Sequence, residues 1–134
     1  MDAFDSFVAT HDRYLQVMDR AYAEADPAAL EPFLDPRYHG YFAATGMERA
    51  EFFGYRDALE GMRQSAGAMP GVRTHCLHRT VQMRSASEAL VFYLKRMIHE
   101  GRLRAYAFEM ESWTRASGKW RLLREIVELG RPEA

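Results

Sequence analysis

The chain has 134 residues, of which 48% are hydrophobic and 28% charged, and its formal net charge is −1. This length supports one domain with a real core and is too short for two ordinary ones, so we expect a single domain over residues 1–134. Acidic and basic residues are mixed along the chain, without the basic surface that nucleic acid or an anionic membrane would require. Neither partner is expected.

Cys76 is the only cysteine, which excludes an intramolecular disulfide and a cysteine-built zinc site. The first residues, MDAFDSFVATHD, carry acids where a signal peptide needs a basic start. No run approaches the ~20 apolar residues of a membrane span. We therefore expect a reduced, cytoplasmic setting.

The first half of the chain predicts helices. Apolar residues recur at helical spacing over residues 2–25, which predicts a long amphipathic helix. Asp26-Pro27 is typical of an N-cap followed by the first helical position, so a short second helix should run to about Leu34. Asp35-Pro36 should end it, because the residue before a proline avoids the α conformation.

Aromatic residues over 37–44 predict a strand. Thr45 and Glu48 have the spacing of a capping box, which predicts a third helix from Thr45 to about Ser65. The second half predicts strands, because β-branched and aromatic runs alternate with turn residues such as Gly101. The predicted strands cover residues 72–83, 90–100, 103–115 and 120–129.

This order of elements favours an α+β fold with helices packed on one face of an antiparallel sheet. Four features carry a more specific resemblance: residues 25–30 (ADPAAL), the Asp35-Pro36 pair with the strand after it, the turn at Gly46, and residues 111–123 (ESWTRASGKWRLL). On these features the chain resembles the nuclear transport factor 2-like (NTF2-like) superfamily, in its SnoaL-like and ketosteroid-isomerase-like group. The resemblance implies a cone-shaped, curved, mostly antiparallel sheet wrapped around three helices from the N-terminal half, as in cystatin-like folds.

The superfamily includes isomerases, polyketide cyclases, dehydratases and epoxide hydrolases besides non-catalytic association and transport domains, so the fold alone selects no activity. In a ketosteroid isomerase a catalytic aspartate lies three residues before the glycine that corresponds to Gly46. This chain has Ala43 at that position. The resemblance therefore argues against that particular proton shuttle.

Glu109 and Glu111 are the main candidates for catalysis, because residues two apart on a strand project from the same face. In a closed pocket, repulsion and desolvation would raise the pKa of at least one of them and produce a general acid or base. Alternatively, this face lies toward water and the intervening residues Tyr106, Phe108 and Met110 fill the core. Alternation alone leaves both orientations open.

Other residues could complete a pocket. Lys95, Arg96, Arg124 and Glu125 are charges within apolar strands, and we expect structural ion pairs across the sheet. Aromatic residues could line a ligand pocket or simply fill the core. The candidate ligand-binding residues are Tyr14, Tyr41, Phe52, Tyr93, Trp113 and Arg124. Tyr14 and Tyr41 are preferred because the resemblance places a cavity between the first helix, the first strand and the concave sheet.

No metal or cofactor is expected. His75 and His78 lie three apart on a predicted strand and should point to opposite faces, so they would not chelate one ion. The sequence has no Walker loop, GxSxG elbow, HExxH motif or dinucleotide fingerprint.

The sequence thus favours a small-molecule binding domain, with a cofactor-independent lyase, isomerase or cyclase activity on a small apolar or polyketide-like substrate. Glu109 or Glu111 would move a proton and tyrosines would orient the ligand. The alternative is a non-catalytic association or ligand-sensing module. A homodimer through the sheet is also predicted, because the strand over 90–100 carries apolar residues on both faces and helices can cover only one.

Overall fold

The computed structural model describes residues 2–132. Helix α1 (Ala3–Glu24) is followed by a 3₁₀ helix (Pro27–Phe33) and later by helix α2 (Tyr55–Ala68). The six strands are β1 (Leu34–Ala44), β2 (Glu51–Gly54), β3 (Arg73–Ser85), β4 (Glu88–His99), β5 (Arg102–Ala116) and β6 (Lys119–Gly130). Within residues 2–132, no helix is long and apolar enough to cross a membrane.

The strands form one curved sheet in the order β2-β1-β6-β5-β4-β3, and the helices pack on its concave face. Neighbouring strands are antiparallel except β1 and β6, which are parallel. The predicted α+β class is confirmed. The meander of β4, β5 and β6 is also confirmed, with each strand end within two residues of its predicted position.

Helix α1 packs one face into the hydrophobic core. The carboxylate of Asp2 caps it by accepting a hydrogen bond from the backbone N–H of Asp5 at 2.8 Å. Ala25 ends it in the left-handed conformation, with φ of 53°. Its buried positions follow the three-and-four spacing of one helical stripe: Phe7, His11, Tyr14, Met18 and Ala21.

The region before α2 differs from the prediction. The third helix does not start at Thr45, and the predicted capping box with Glu48 is wrong. Residues 51–54 instead form β2, which pairs antiparallel with β1 and places Phe53 opposite Gly40. The helix begins only at Tyr55, because the aromatic residues before it are used in this strand pair.

The short second helix is a 3₁₀ helix, and Asp35-Pro36 does not separate it from the strand. Strand β1 begins at Leu34, three residues earlier than predicted, so the Asp-Pro pair lies inside it. Pro36 is tolerated there because the ladder with β6 is irregular between Leu34 and His39.

Candidate active site

Strand β5 turns its two predicted glutamates toward the helices. Glu109 is 5% exposed and Glu111 is fully buried, whereas Phe108 between them is 60% exposed. Of the two orientations that the sequence left open, the structure therefore has the carboxylates inside and Phe108 outside.

A bulge in β6 adds a third carboxylate. Trp113 pairs with Leu122 while Ser112 pairs with Arg124, so β6 has one extra residue at Leu123. The inward-facing positions consequently change from even to odd numbers along β6, and Glu125 points inward. One oxygen from each of Glu109, Glu111 and Glu125 lies within 4.8 Å of the others.

A cavity of about 460 Å³ lies between the helices and the concave face of the sheet. Its wall is mainly apolar, and it opens between α2, β1 and β2. The polar groups deepest in it are Tyr14, Tyr22, Tyr38, Lys95, Glu109 and Glu125. The apolar lining includes Met18, Leu30, Leu34, Phe42, Phe53, Leu59, Met62 and Val127.

Glu111 does not line this cavity, and both of its oxygens are already occupied. Its Oε1 accepts hydrogen bonds from His11 Nε2 and Trp113 Nε1, each at 2.9 Å, and its Oε2 accepts one from the Tyr93 hydroxyl. The guanidinium of Arg79 lies 3.2 Å from His11 Nδ1. Because a guanidinium only donates, Nδ1 is the acceptor and Nε2 carries the hydrogen that Glu111 accepts.

The environment keeps Glu111 ionised. Burial by itself would raise the pKa of this carboxyl, but the hydrogen bonds from His11, Tyr93 and Trp113 outweigh it and hold the pKa below its usual value. A buried, ionised carboxylate with every oxygen paired is a structural anchor. Three of its four lone-pair positions accept hydrogen bonds and it does not line the cavity, so it is poorly placed to take a proton from a ligand.

Glu109 is the partner of a buried lysine. Lys95 is 4% exposed, and its Nζ lies 3.0 Å from Glu109 Oε1 and 5.0 Å from the centre of the Tyr22 ring. Burial would lower the pKa of Lys95, but Tyr22 and Glu109 raise it, so the ammonium stays charged. Burial raises the pKa of Glu109, while Lys95 opposes that shift and Glu111 adds to it.

Glu125 is the carboxyl that holds a proton. Burial and the negative charges of Glu109 and Glu111 raise its pKa well above the usual value. Its Oε1 accepts a hydrogen bond from the Tyr38 hydroxyl. Glu109 Oε2 is buried and receives no hydrogen bond from an N–H or a hydroxyl of residues 2–132. One oxygen of Glu125 lies within 4.8 Å of an oxygen of Glu109, so a protonated Glu125 lies close to the Glu109 carboxylate.

The three carboxylates are a poor metal site despite their spacing. Glu111 is bonded to three donors, and the ammonium of Lys95 lies against Glu109. A divalent cation would have to displace these donors and sit beside a buried positive charge. His75 and His78 are both exposed on β3 and lie outside the cavity. That the protein needs no metal stays a prediction.

The structure brings only some of the predicted ligand-binding residues together. Tyr14 lines the cavity and is 5% exposed overall. Tyr93 and Trp113 lie behind the cavity wall, bonded to Glu111.

Three more predicted ligand-binding residues lie on the surface, away from the cavity, contrary to the prediction. Tyr41 is 44% exposed and Phe52 is 64% exposed, and the centroids of their rings lie 5.5 Å apart. Arg124 is also exposed, beside Ser112. The reason is the pleat: β1 and β2 turn Tyr38, Phe42 and Phe53 inward, so their neighbours face outward.

The sequence predicted Lys95 and Glu125 only as members of structural ion pairs, and it did not single out Tyr38 or His11 as site residues. His11 falls on the same helical stripe as Phe7 and Tyr14, so helical spacing could have placed it inside. Lys95 shares strand parity with Val91, Tyr93 and Met97, which signals a buried lysine. The orientation of Glu125 depends on the bulge in β6, for which no residue pattern gives a signal.

Comparison with known proteins identifies the fold. No family model matches the chain, and no curated protein matches it. Among solved structures, an NTF2-like protein of unknown function from Pseudomonas putida aligns with a TM-score of 0.70 and 14% identity over 90% of this chain and 84% of that one. A candidate scytalone dehydratase from Novosphingobium aromaticivorans aligns with a TM-score of 0.67 and 16% identity, over 94% of this chain and 87% of that one.

A candidate calcium/calmodulin-dependent protein kinase II association domain from Xanthomonas campestris aligns with a TM-score of 0.65 and 16% identity over 96% of this chain and 87% of that chain. These likenesses show that the chain has the NTF2-like, cystatin-like fold, which confirms the resemblance found in the sequence. At such identities they show the fold and no activity.

Proposed function

We propose that the chain binds a small, largely apolar molecule in the 460 Å³ cavity and exchanges a proton with it through Glu125 and Glu109. The observation that carries this proposal is the pair of carboxyls at the cavity wall, one of which is kept protonated. A proton that two carboxyls share in an apolar site is suited to general acid–base catalysis near neutral pH.

The charges balance through such a cycle. At rest, Lys95 is positive, Glu109 is negative and Glu125 is neutral. When Glu125 gives its proton to a ligand atom, the two carboxylates carry two negative charges against one ammonium, so the pair readily takes a proton back from another ligand atom. A net movement of one proton within the ligand is the chemistry of cofactor-independent lyases, isomerases and cyclases.

Tyr14 supplies a second polar contact. Burial and nearby carboxylates raise its pKa well above the usual value, so its hydroxyl is a neutral hydrogen-bond donor. A carbonyl or hydroxyl oxygen of the ligand would accept this hydrogen bond. The sequence assigned proton transfer to Glu109 or Glu111, and in this proposal Glu125 takes the place of Glu111, because Glu111 accepts three hydrogen bonds and does not line the cavity.

The proton-transfer proposal is tested by solvent exchange on a compact ketone such as 2-tetralone in D₂O, with loss of the α-proton signal followed by NMR. We expect catalysed exchange, and Glu125→Gln should slow it by about 100-fold because an amide does not donate the acid proton. Glu128→Gln, on the exposed side of the same strand, is the matched control and should leave the rate unchanged. Exchange no faster than in buffer, or equal rates for both variants, would contradict proton transfer.

The binding proposal has a separate test. Ala58 lines the cavity on α2, so Ala58→Trp should fill it and abolish binding of any small molecule that native mass spectrometry finds on the purified protein. Ala86→Trp, in the exposed β3–β4 turn, is the control and should keep that molecule. Retention of the molecule by Ala58→Trp would place the binding site elsewhere.

A second candidate function is association through the outer face of the sheet. Phe92, Phe108 and Ile126 are 38%, 60% and 39% exposed there, which is unusual for such large apolar side chains. A twofold dimer would cover this face. Light scattering should give twice the 15.5 kDa mass of the chain, and Phe108→Glu should reduce the measured mass to that of a single chain. A wild-type monomer at high micromolar concentration would exclude this dimer.

A reduced, cytoplasmic setting remains part of the proposal. Burial raises the pKa of the Cys76 thiol to about 11, so this cysteine stays protonated and unreactive. A protein without a disulfide has no need of an oxidising compartment. Fractionation of the native host cells would test the location.

A further inference from the structure

A second cleft, of about 320 Å³, lies between the start of α1, the 3₁₀ helix and the turn that joins β5 to β6. It shares no lining residue with the cavity described above. Three of its lining residues are basic, Arg13 from α1 and Lys119 and Arg121 from β6, and none of those within residues 2–132 is acidic. This is a local excess of positive charge on a chain whose net charge is −1.

The three cations of the cleft form no ion pair with a carboxylate of residues 2–132, unlike the five basic residues that do. Arg37, Arg63, Arg73, Arg79 and Lys95 each form an ion pair with a carboxylate. Within residues 2–132 no carboxylate lies within 4.0 Å of the charged groups of Arg13, Lys119 or Arg121. Arg13 lies over the ring of Phe33 at 5.5 Å, which holds its guanidinium at the cleft.

The carboxylate of Asp35 does not neutralise the cleft. Asp35 is close enough to Arg121 for that charge to contribute to the lowering of its pKa. Its carboxylate is nevertheless bonded to the side chain and the backbone N–H of Arg37, at 3.1 and 2.8 Å. The Asp35 carboxylate is therefore paired mainly with Arg37, and the cleft keeps its positive charge.

The cleft also contains uncharged donors. Ser6 lines it on the α1 side with its hydroxyl, whereas the hydroxyl of Thr10 already donates to the backbone carbonyl of Ser6 at 3.2 Å. Trp120 lines it and is 5% exposed, and its indole N–H is buried without an acceptor among residues 2–132. The other tryptophan, Trp113, donates its N–H to Glu111 at 2.9 Å. A buried donor without an acceptor is uncommon in native proteins and points to a missing partner.

We propose that this cleft binds the phosphate group of a small molecule, with the anion held by Arg13, Lys119 and Arg121 and by the hydroxyl and indole donors beside them. A phosphate dianion matches three cations better than a carboxylate does, because its charge and number of acceptor oxygens are larger. The site is separate from the cavity and does not depend on the function proposed for it.

The test is an NMR titration of the full chain with sodium phosphate at constant ionic strength, with chloride as the balancing ion. We expect saturable shifts of the Trp120 indole N–H and the Lys119 amide, while the Trp113 indole N–H, an internal control, stays unchanged. Acetate should bind at least about tenfold more weakly, the ratio that one charge-assisted hydrogen bond supplies. Phenyl phosphate should bind at least as tightly as phosphate.

Variants decide whether the shifts report a site. Arg121→Gln and Lys119→Gln should each weaken phosphate binding by about tenfold. Arg63→Gln removes an exposed arginine from α2 and is the charge-matched control, which should leave the affinity unchanged. Shifts that rise linearly without saturation, equal affinity for acetate and phosphate, or an Arg63→Gln effect equal to that of Arg121→Gln would each overturn the proposal.

Discussion

Two buried carboxylates two residues apart on one strand face have opposite electrostatic characters. Glu111 accepts hydrogen bonds from His11, Trp113 and Tyr93, and its pKa is lowered despite complete burial. Glu109 has one ammonium partner on one oxygen and a second carboxyl, Glu125, beside the other, and its pKa is raised. The number of donors aimed at each carboxylate decides which one anchors the fold and which one can take up a proton.

Breaking the anchor should have the largest effect. Glu111→Gln replaces one acceptor oxygen with a donor NH₂ group, which then faces at least one buried donor, so we expect a loss of about 3 kcal/mol in the free energy of unfolding at pH 7. Urea denaturation measures it, and Glu128→Gln should change stability by less than about 0.5 kcal/mol.

The pH dependence of this loss has a definite sign. A carboxyl whose pKa is lowered in the folded state stabilises the protein above its unfolded pKa, and this contribution disappears as the pH falls through the folded pKa. The deficit of Glu111→Gln should therefore shrink on acidification. A deficit that is the same at every pH would show that Glu111 is not an ionised anchor.

Removing the Lys95 ammonium, which pairs with Glu109, should have a smaller effect. Lys95→Met leaves Glu109 buried without a counter-charge, but Glu109 escapes part of the cost by taking up a proton, so we expect a loss of about 2 kcal/mol at pH 7. The double variant Lys95→Met/Glu109→Gln should recover most of it. If the losses simply added, Lys95 and Glu109 would not be a coupled pair.

Glu125→Gln should have the smallest effect, and in the opposite direction. A carboxyl with a raised folded pKa contributes stability that is complete below its unfolded pKa and is lost as the pH rises through the folded pKa. The amide resembles the protonated acid at every pH. Thermal unfolding should therefore find the variant equal to wild type near pH 4 and more stable by about 1 kcal/mol at pH 8. A variant less stable than wild type at pH 8 would contradict a raised pKa.

Much of the fold followed from sequence patterns. Period-two alternation and Gly-containing turns gave β4, β5 and β6, and helical spacing gave α1, because these long elements repeat one pattern many times. The hairpin of β1 and β2 was missed, because β2 has four residues and a capping-box spacing preceded it by chance. The parallel pairing of β1 with β6 joins distant segments and leaves no local pattern.

The site was only half predictable for a related reason. The pair Glu109 and Glu111 follows from strand geometry, but which face is buried depends on where the helices pack. Glu125 reaches the cavity only because one extra residue in β6 changes the inward parity after Leu122. Without the bulge, Arg124 would face inward in its place, and this is the residue that the sequence assigned to the pocket.

Carboxyl-carbon NMR titration of Glu109, Glu111 and Glu125 in the wild-type chain tests the central claim most directly. We expect the Glu125 signal to keep the shift of a protonated carboxyl at pH values where ordinary exposed glutamates are ionised, while Glu111 stays ionised below their titration range. The Glu109 signal should move when Glu125 ionises, because the two share a proton. If all three carboxyls titrated together with exposed glutamates, the cavity would hold no labile shared proton and the proposed acid–base function would be wrong.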